Sequence, residues 1–284
     1  MDKFSTLFLG GSLFIIMLGM GLSLEIKDFK RIFVYPKAIF IGLFSQLIIL
    51  PIIGFLIAAS FSVSPAIAIG IMILAACPGG PTSNLIAHLA NGNTALSVTL
   101  TAISSFVTIF TIPFIVNFST EYFIQQGAVV ELDVLAAILQ IMVITIVPIC
   151  CGMTIRRYKF LFAERMAPNV KIASGIVIIL VIVGIVVKEK DNVVDYFEQA
   201  GIVALTLNVA SMLVGFCLPC FFNIKRDSAV SISIESGIQN GTLAITIAVV
   251  MLGNSTFAIA PAVYSLIMFF TGSAFVFLHL NRKK

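Results

Sequence analysis

The chain has 284 residues, 60% of them apolar and only 11% charged, with a mean hydropathy of +1.12. A soluble domain carries about 25% charged residues, so this composition excludes one and indicates a polytopic protein of the lipid bilayer. The net charge of +4 is scattered among connecting segments rather than gathered in a patch, which offers no footing for nucleic acid.

The first apolar run, residues 7–24, follows a short polar start and superficially resembles a signal peptide. No small-residue cleavage site follows it. The basic EIKDFKR segment comes next and reads as a cytoplasmic stop, so the run is expected to stay as a membrane helix. Further runs of about 20 residues, the length needed to cross, fall at 36–60, 66–90, 94–118, 133–155, 170–188, 199–222, 228–252 and 257–280. The expected fold is therefore all-α, one integral unit with about nine transmembrane helices. The longest connection, near 118–132, contains Glu121 and Glu131 and has room for an interfacial helix.

Fourteen of the seventeen Lys and Arg residues lie in 25–37, 156–171, 223–227 and the C-terminal tail. The positive-inside rule then puts the N-terminus outside and the C-terminus in the cytoplasm, and an odd span count requires the same arrangement. Twenty-five phenylalanines and no tryptophan leave Tyr35, Tyr122 and Tyr264 as candidate interfacial anchors. The five cysteines (Cys77, Cys150, Cys151, Cys217 and Cys220) sit in apolar runs, an odd set expected to be buried and unsuited to a disulfide framework. Cys217 and Cys220 form a C-x-x-C without a second ligand pair, and are read as packing residues.

Two spans are interrupted at membrane depth. In LAACPGGPTSN, Pro78, Gly79, Gly80 and Pro81 interrupt an apolar run. A proline costs about 3 kcal/mol inside a helix and disfavours helical geometry in the residue before it. In SISIESGIQNG, Glu235 lies deep in an apolar stretch beside Gln239 and Asn240. A charge there costs about 2.5–3.5 kcal/mol on insertion scales and marks an ion or substrate pathway. Paired breaks in the two halves of a chain point to the binding site of a secondary transporter; these lie about 158 residues apart.

Broken helices expose carbonyls that suit a hard cation and N–H groups that suit an anion. Glu235 supplies charge, and Ser83, Asn84, Ser97, Thr101, Gln46 and Gln239 are neutral oxygen donors. Ser97 and Thr101, four apart, share one helix face. Each hydroxyl also has an ordinary use, bonding its own backbone or joining helices. His88 is read as an interfacial or packing residue, and His279, near the tail, as interfacial.

CPGGPTSN at 77–84, NGNTALSVTLT at 91–101 and SIESGIQNGTLA at 233–244 resemble the signatures of the bile acid:sodium symporter family, as do GMGLSL at 19–24 and PKA at 36–38. The resemblance covers nearly the whole chain. It implies two inverted repeats, about 1–125 and 133–284, with two crossing broken helices in a core domain and a panel domain that moves against it. It assigns one sodium site to Ser83, Asn84, Ser97, Thr101 and Glu235. A second uses the Gln46 and Gln239 side chains, Glu235, and the backbone carbonyls of Ser236 and Ile238, so that two Na+ are co-transported. Asn240, with Pro81 and Thr82 at the first break, faces the substrate. Many bacterial members have ten spans, and the first span here aligns with their second, which implies a four-plus-five arrangement. Pro81 stands where the family commonly has Thr, removing a hydroxyl and a backbone N–H.

The expected function is sodium-coupled import of a bile-acid-like or small carboxylate anion, such as pantoate, by alternating access across a bacterial cytoplasmic membrane. A proton-coupled carrier or exporter of the same fold, in which Glu235 titrates, stays open. A sensor or scaffold lacks an output domain. No H-E-x-x-H, G-x-S-x-G or Walker pattern supports an enzyme. The sequence leaves oligomeric state open.

Overall fold

A computed structural model describes residues 3–124, 132–188 and 193–281. Residues 125–131 of the connection expected to hold an interfacial helix, Glu131 among them, and the basic tail 282–284 lie outside the described residues. Among those described, the chain is helical and forms no strand.

Helix α1 (Lys3–Gly21) turns through 73° into the short α2 (Ile26–Lys30), so the basic stop segment is itself partly helical. A capping box at Glu25 and Asp28 starts α2, each side chain satisfying a backbone N–H left free at a helix start. Helices α3 (Pro36–Phe44) and α4 (Leu50–Ser60) form one span through a π turn at Ser45–Ile49. Pro51 follows that turn directly; it has no N–H to continue the helical ladder, and the wider turn accommodates it.

Helices α5 (Pro65–Ala76) and α6 (Pro81–Leu89) form the first broken span, and α7 (Thr94–Phe123) follows. Then come α8 (Val134–Tyr158), α9 (Phe160–Lys188) and α10 (Val193–Phe221). The second broken span is α11 (Arg226–Gly237) with α12 (Gly241–Thr246), extended by a π turn to Met251, and α13 (Ile259–Asn281) closes the order. Five continuous helices are long and apolar enough to cross a membrane, or six with the bent α1–α2 pair. The other expected crossings correspond to α9 and the two interrupted pairs.

Several expectations are corrected. Segment 156–171 is not a loop: α8 and α9 meet at the single residue Lys159, because Glu, Arg and Lys form helix as readily as most residues once outside the apolar zone. Helix α7 continues to Phe123 rather than ending near residue 118. Of the cysteines only Cys77 is buried; Cys150, Cys151, Cys217 and Cys220 face outward, and all five are free. Tyr264 is no interfacial anchor but fully buried, donating to the Gly237 carbonyl at 2.9 Å. His279 packs in a stack on Phe275, and His88 is exposed.

Apolar residues cover the outside, with Phe40, Phe270 and Phe277 all more than 60% exposed. Polar side chains gather at the centre, around α5 and α11, each buried along most of its length. The rest of the interior is apolar like the outside, so the polar groups form an island within it.

Candidate functional site

The two broken helices cross at their breaks. Gly79 and Gln239 form an antiparallel backbone bridge. The Gly80 N–H donates to the Ile238 carbonyl and the Asn240 N–H to the Pro78 carbonyl, both at 2.9 Å. Each break thus satisfies backbone groups of the other, which resolves the cost of unpaired groups in hydrocarbon. Glycine is required at 79 because a Cβ there would overlap the Glu235 carboxylate.

Glu235 is 1% exposed and lies at the centre. Its carboxylate accepts from Ser83 Oγ at 2.7 Å and Ser97 Oγ at 2.9 Å, and from Thr101 Oγ1. Asn84 Oδ1 accepts from Ser97 at 2.9 Å and Thr101 at 3.4 Å. The structure therefore brings Ser83, Asn84, Ser97, Thr101 and Glu235 into one cluster of oxygens drawn from α6, α7 and α11. Side-chain oxygens at mutual contact distance, with one carboxylate among neutral donors, suit a hard monovalent cation. When a cation enters, the hydroxyls need only rotate to offer lone pairs.

A second cluster lies on the other side of the Glu235 backbone. The π turn carries Gln46, whose Nε2 donates to the Glu235 carbonyl at 3.5 Å. Gln239 Nε2 donates to the Ser236 carbonyl at 2.7 Å and the Glu235 carbonyl at 3.5 Å. Both amide nitrogens must face these carbonyls, since a carbonyl cannot donate. Gln46 Oε1 and Gln239 Oε1 are left buried without a partner. Orphaned buried acceptors are rare and call for an explanation; two of them beside open carbonyls fit a cation. Ser236 O and Ile238 O each hold one hydrogen bond already and keep a second lone pair. Glu235 meets the two amides through its backbone carbonyl, while the hydrogen bonds to its carboxylate come from the first cluster.

Asn240 caps α12 by accepting from Leu243 N at 3.1 Å, and its Nδ2 is buried without a partner. Asn240 also lines a cavity of about 290 Å3 between α1, α6, α7, α12 and α13. Pro81 and Thr82 line the same cavity, as do Asn84, Gln239 and His88. His88 thus stands on a cavity wall rather than only at a surface. The unpaired side-chain Nδ2 of Asn240 and the half-helix start at Pro81 give the cavity a donor and a positive dipole end for an anion.

Two residues missed by the sequence reading hold the second break. Asn208 Nδ2 and Tyr264 OH both donate to the Gly237 carbonyl, at 2.8 and 2.9 Å. Asn208 carried a usable signal, being an amide inside a spanning run; Tyr264 carried none.

The basic segments share one end of the molecule. Arg156 binds Glu25, Thr99 donates to the Asp28 carbonyl, and Asn93 N donates to the Asp227 carbonyl. Ser23, Leu24 and Thr94 line the cavity near that end.

Comparison with known proteins gives the family. The model of the sodium bile acid symporter family matches residues 12–196. The chain is 30% identical over 251 residues to the uncharacterized sodium-dependent transporter YocS of Bacillus subtilis, covering 87% of this chain and 74% of that one. It is 28% identical to the probable chloroplastic sodium/metabolite cotransporter BASS1 of Arabidopsis thaliana, over 91% of this chain but 63% of the relative. It is 26% identical to the human ileal sodium/bile acid cotransporter, over 95% of this chain and 78% of the relative. The chain thus spans less than two thirds of the plastid relative's length and about three quarters of the other two. With more than half of the residues matched, the chain belongs to the sodium bile acid symporter family.

Proposed function

We propose that this protein is a sodium-coupled symporter of an organic anion, working by alternating access with two sodium sites. The observation that carries the reading is Glu235, buried at the crossing of two broken helices and ringed by Ser83, Ser97 and Thr101 with Asn84 behind them. The relatives' names describe sodium-dependent transport and sodium/metabolite or sodium/bile acid cotransport, and we carry the sodium dependence to this chain. The first ion is held by Ser83, Asn84, Ser97, Thr101 and the Glu235 carboxylate. The second is held by Gln46 and Gln239 with the carbonyls of Glu235, Ser236 and Ile238. The anion occupies the cavity against Asn240, Pro81 and Thr82.

The two breaks and their neighbours act as the core that moves against a panel built from the outer helices. With the basic end in the cytoplasm of a bacterium, the N-terminus lies outside and the cavity faces inward. Two Na+ with a monovalent anion carry one net positive charge inward per cycle. Each charge gains about 2.3 kcal/mol per 100 mV.

The test is uptake of labelled pantoate and taurocholate into proteoliposomes. An inward sodium gradient should drive accumulation of at least one of these anions, accelerated by an inside-negative potential. Uptake driven equally by a proton gradient without sodium would overturn sodium coupling.

A further inference from the structure

A second hollow, of about 730 Å3, lies at the basic end of the molecule, between the α1–α2 bend and the α8–α9 corner. Its wall includes Glu25, Lys27, Thr154, Arg156, Arg157 and Phe160. Arg156 is fixed in it by three kinds of contact. Its Nη2 and Nε reach Glu25 Oε1 at 2.8 and 3.2 Å, its Nη1 donates to the Leu22 carbonyl at 3.1 Å, and its guanidinium lies 4.9 Å over the Phe160 ring. Lys27 Nζ meets Glu25 Oε2 at 2.7 Å but is 62% exposed. Arg157 is exposed beside the Tyr158 ring and forms no ion pair among the described residues.

Two cations thus share the Glu25 carboxylate and Arg157 stands unpaired beside them among the described residues, so the hollow keeps an excess of positive charge. Lys27 and Arg156 hold the Glu25 carboxyl below its ordinary value, so Glu25 stays ionised and the excess is two rather than three. The start of α9 at Phe160 and the end of α8 at Tyr158 meet in this corner, so their opposite dipole ends offset one another and the side chains set the charge. Apolar side chains share the wall, among them Leu24, Ile26 and Met153; Ile26 is 55% exposed, and farther along α9 Leu161 and Phe162 also face outward. A cationic hollow beside outward-facing apolar side chains, at the end of the spans, matches a phosphate headgroup with acyl chains alongside. Basic pockets between membrane helices on the cytoplasmic side are suited to anionic lipid headgroups.

We propose that this hollow is a binding site for the phosphate of an anionic phospholipid, held by Lys27, Arg156 and Arg157. Bound there, the lipid adds a further tie between the α1–α2 bend and the α8–α9 corner, which already pack closely at Gly21 and Gly152 and are joined by Arg156 to Glu25 and the Leu22 carbonyl. The site stands apart from the ion clusters and does not depend on sodium coupling.

The experiment uses the full chain purified in detergent. Thermal midpoint and native mass spectrometry are followed with phosphatidylglycerol, phosphatidylcholine and glycerol 3-phosphate. The variants are Lys27→Gln/Arg157→Gln and the control Lys37→Gln/Arg226→Gln, whose residues do not line the hollow. Phosphatidylglycerol should bind and stabilise where phosphatidylcholine does not. Its apparent affinity should fall roughly tenfold or more in the first variant, since each basic residue contributes about 1 kcal/mol at such a surface, and hold in the control. Equal effects of the two lipids, or full retention in the first variant, would overturn the site. Glycerol 3-phosphate matching the lipid would make it a soluble-anion site instead and overturn the lipid assignment. Arg157→Gln alone, at an exposed position, keeps the test readable if the double variant fails to fold.

Discussion

Replacing Glu235 by Gln should separate folding from ion binding. The carboxylate accepts hydrogen bonds from three hydroxyls. A carboxamide oxygen can accept from one or two of them, and the remaining hydroxyl can rotate toward the new NH2 group. The variant also removes an acidic group that the fold buries to 1% exposure. Lost hydrogen bonding is worth about 1–2 kcal/mol and is offset by the lower cost of burial, so sodium-free stability should stay near wild type. Sodium-bound stability should not. A ligand binding only the folded state at 100 times its Kd contributes about 2.7 kcal/mol, or roughly 5 °C or more for a chain of this size. The assay is the thermal midpoint of wild type and Glu235→Gln in detergent, titrated with NaCl against KCl and choline chloride. Wild type should rise with sodium alone and the variant should lose most of that rise. A variant that keeps the full sodium-specific shift would refute the assignment of the carboxylate to the ion.

The second cluster is tested by Gln46→Met and Gln239→Met. Each removes an acceptor that has no partner, so sodium-free stability should change by about 1 kcal/mol or less for Gln46, whose one hydrogen bond is long. The sodium titration should lose cooperativity in both; an unchanged Hill slope would count against a second ion. Gly79→Ala drives a methyl into the Glu235 carboxylate and should destabilise the fold by about 1–3 kcal/mol while weakening sodium binding, read by the same titration; a silent variant would show that the crossing is loose. Tyr264→Phe removes one of two donors to the Gly237 carbonyl and should cost about 1 kcal/mol in thermal or denaturant unfolding; no loss would mean Asn208 alone suffices. Lys27, and then Arg156, hold the Glu25 carboxyl below its ordinary value. Its ion pairs therefore contribute above that value and are lost as pH falls through the folded value. Glu25 is a third exposed, so the contribution is small and screened by salt. Wild type should lose slightly more stability than Glu25→Gln between about pH 5 and about pH 3, and coincident acid profiles would contradict this.

What could be read in the sequence follows from where polarity is expensive. Pro78 to Pro81 and Glu235 to Asn240 are conspicuous because prolines, glycines and polar groups are costly at membrane depth, so both breaks were legible. The individual ligand sets came instead from family resemblance, and the structure brings the named side chains to the same crossing. Helix facing was not legible. In a soluble protein the apolar face points inward, but here inner and outer faces are both apolar, and periodicity carries little information. That is why the cysteines were expected to be buried while four face outward, and why Tyr264 was taken for an anchor. The α8–α9 corner was missed for a different reason: charge was equated with loop, whereas Arg156 and Arg157 complete one helix and Arg165 lies in the next. The hydrogen bond from Asn208 to Gly237 joins residues 29 positions apart, and no local pattern announces it.

The cavity wall gives coupling a physical basis. It contains no lysine or arginine, and His88 is its one titratable side chain among the described residues. An anion entering alone would meet helix ends and the Asn240 amide but no fixed countercharge, at a depth where an unpaired charge is costly. On the proposed assignment, two sodium ions against one Glu235 carboxylate leave a single positive charge next to that cavity. Asn84 and Gln239 belong to the ion clusters and also line the cavity, so the charge is presented through side chains that the anion can touch. Sodium then raises anion affinity and, by linkage, the anion raises sodium affinity by the same factor. On the same assignment a monovalent anion would balance the charge at the crossing without an arginine clamp, whereas a second negative charge on the substrate would stand uncompensated.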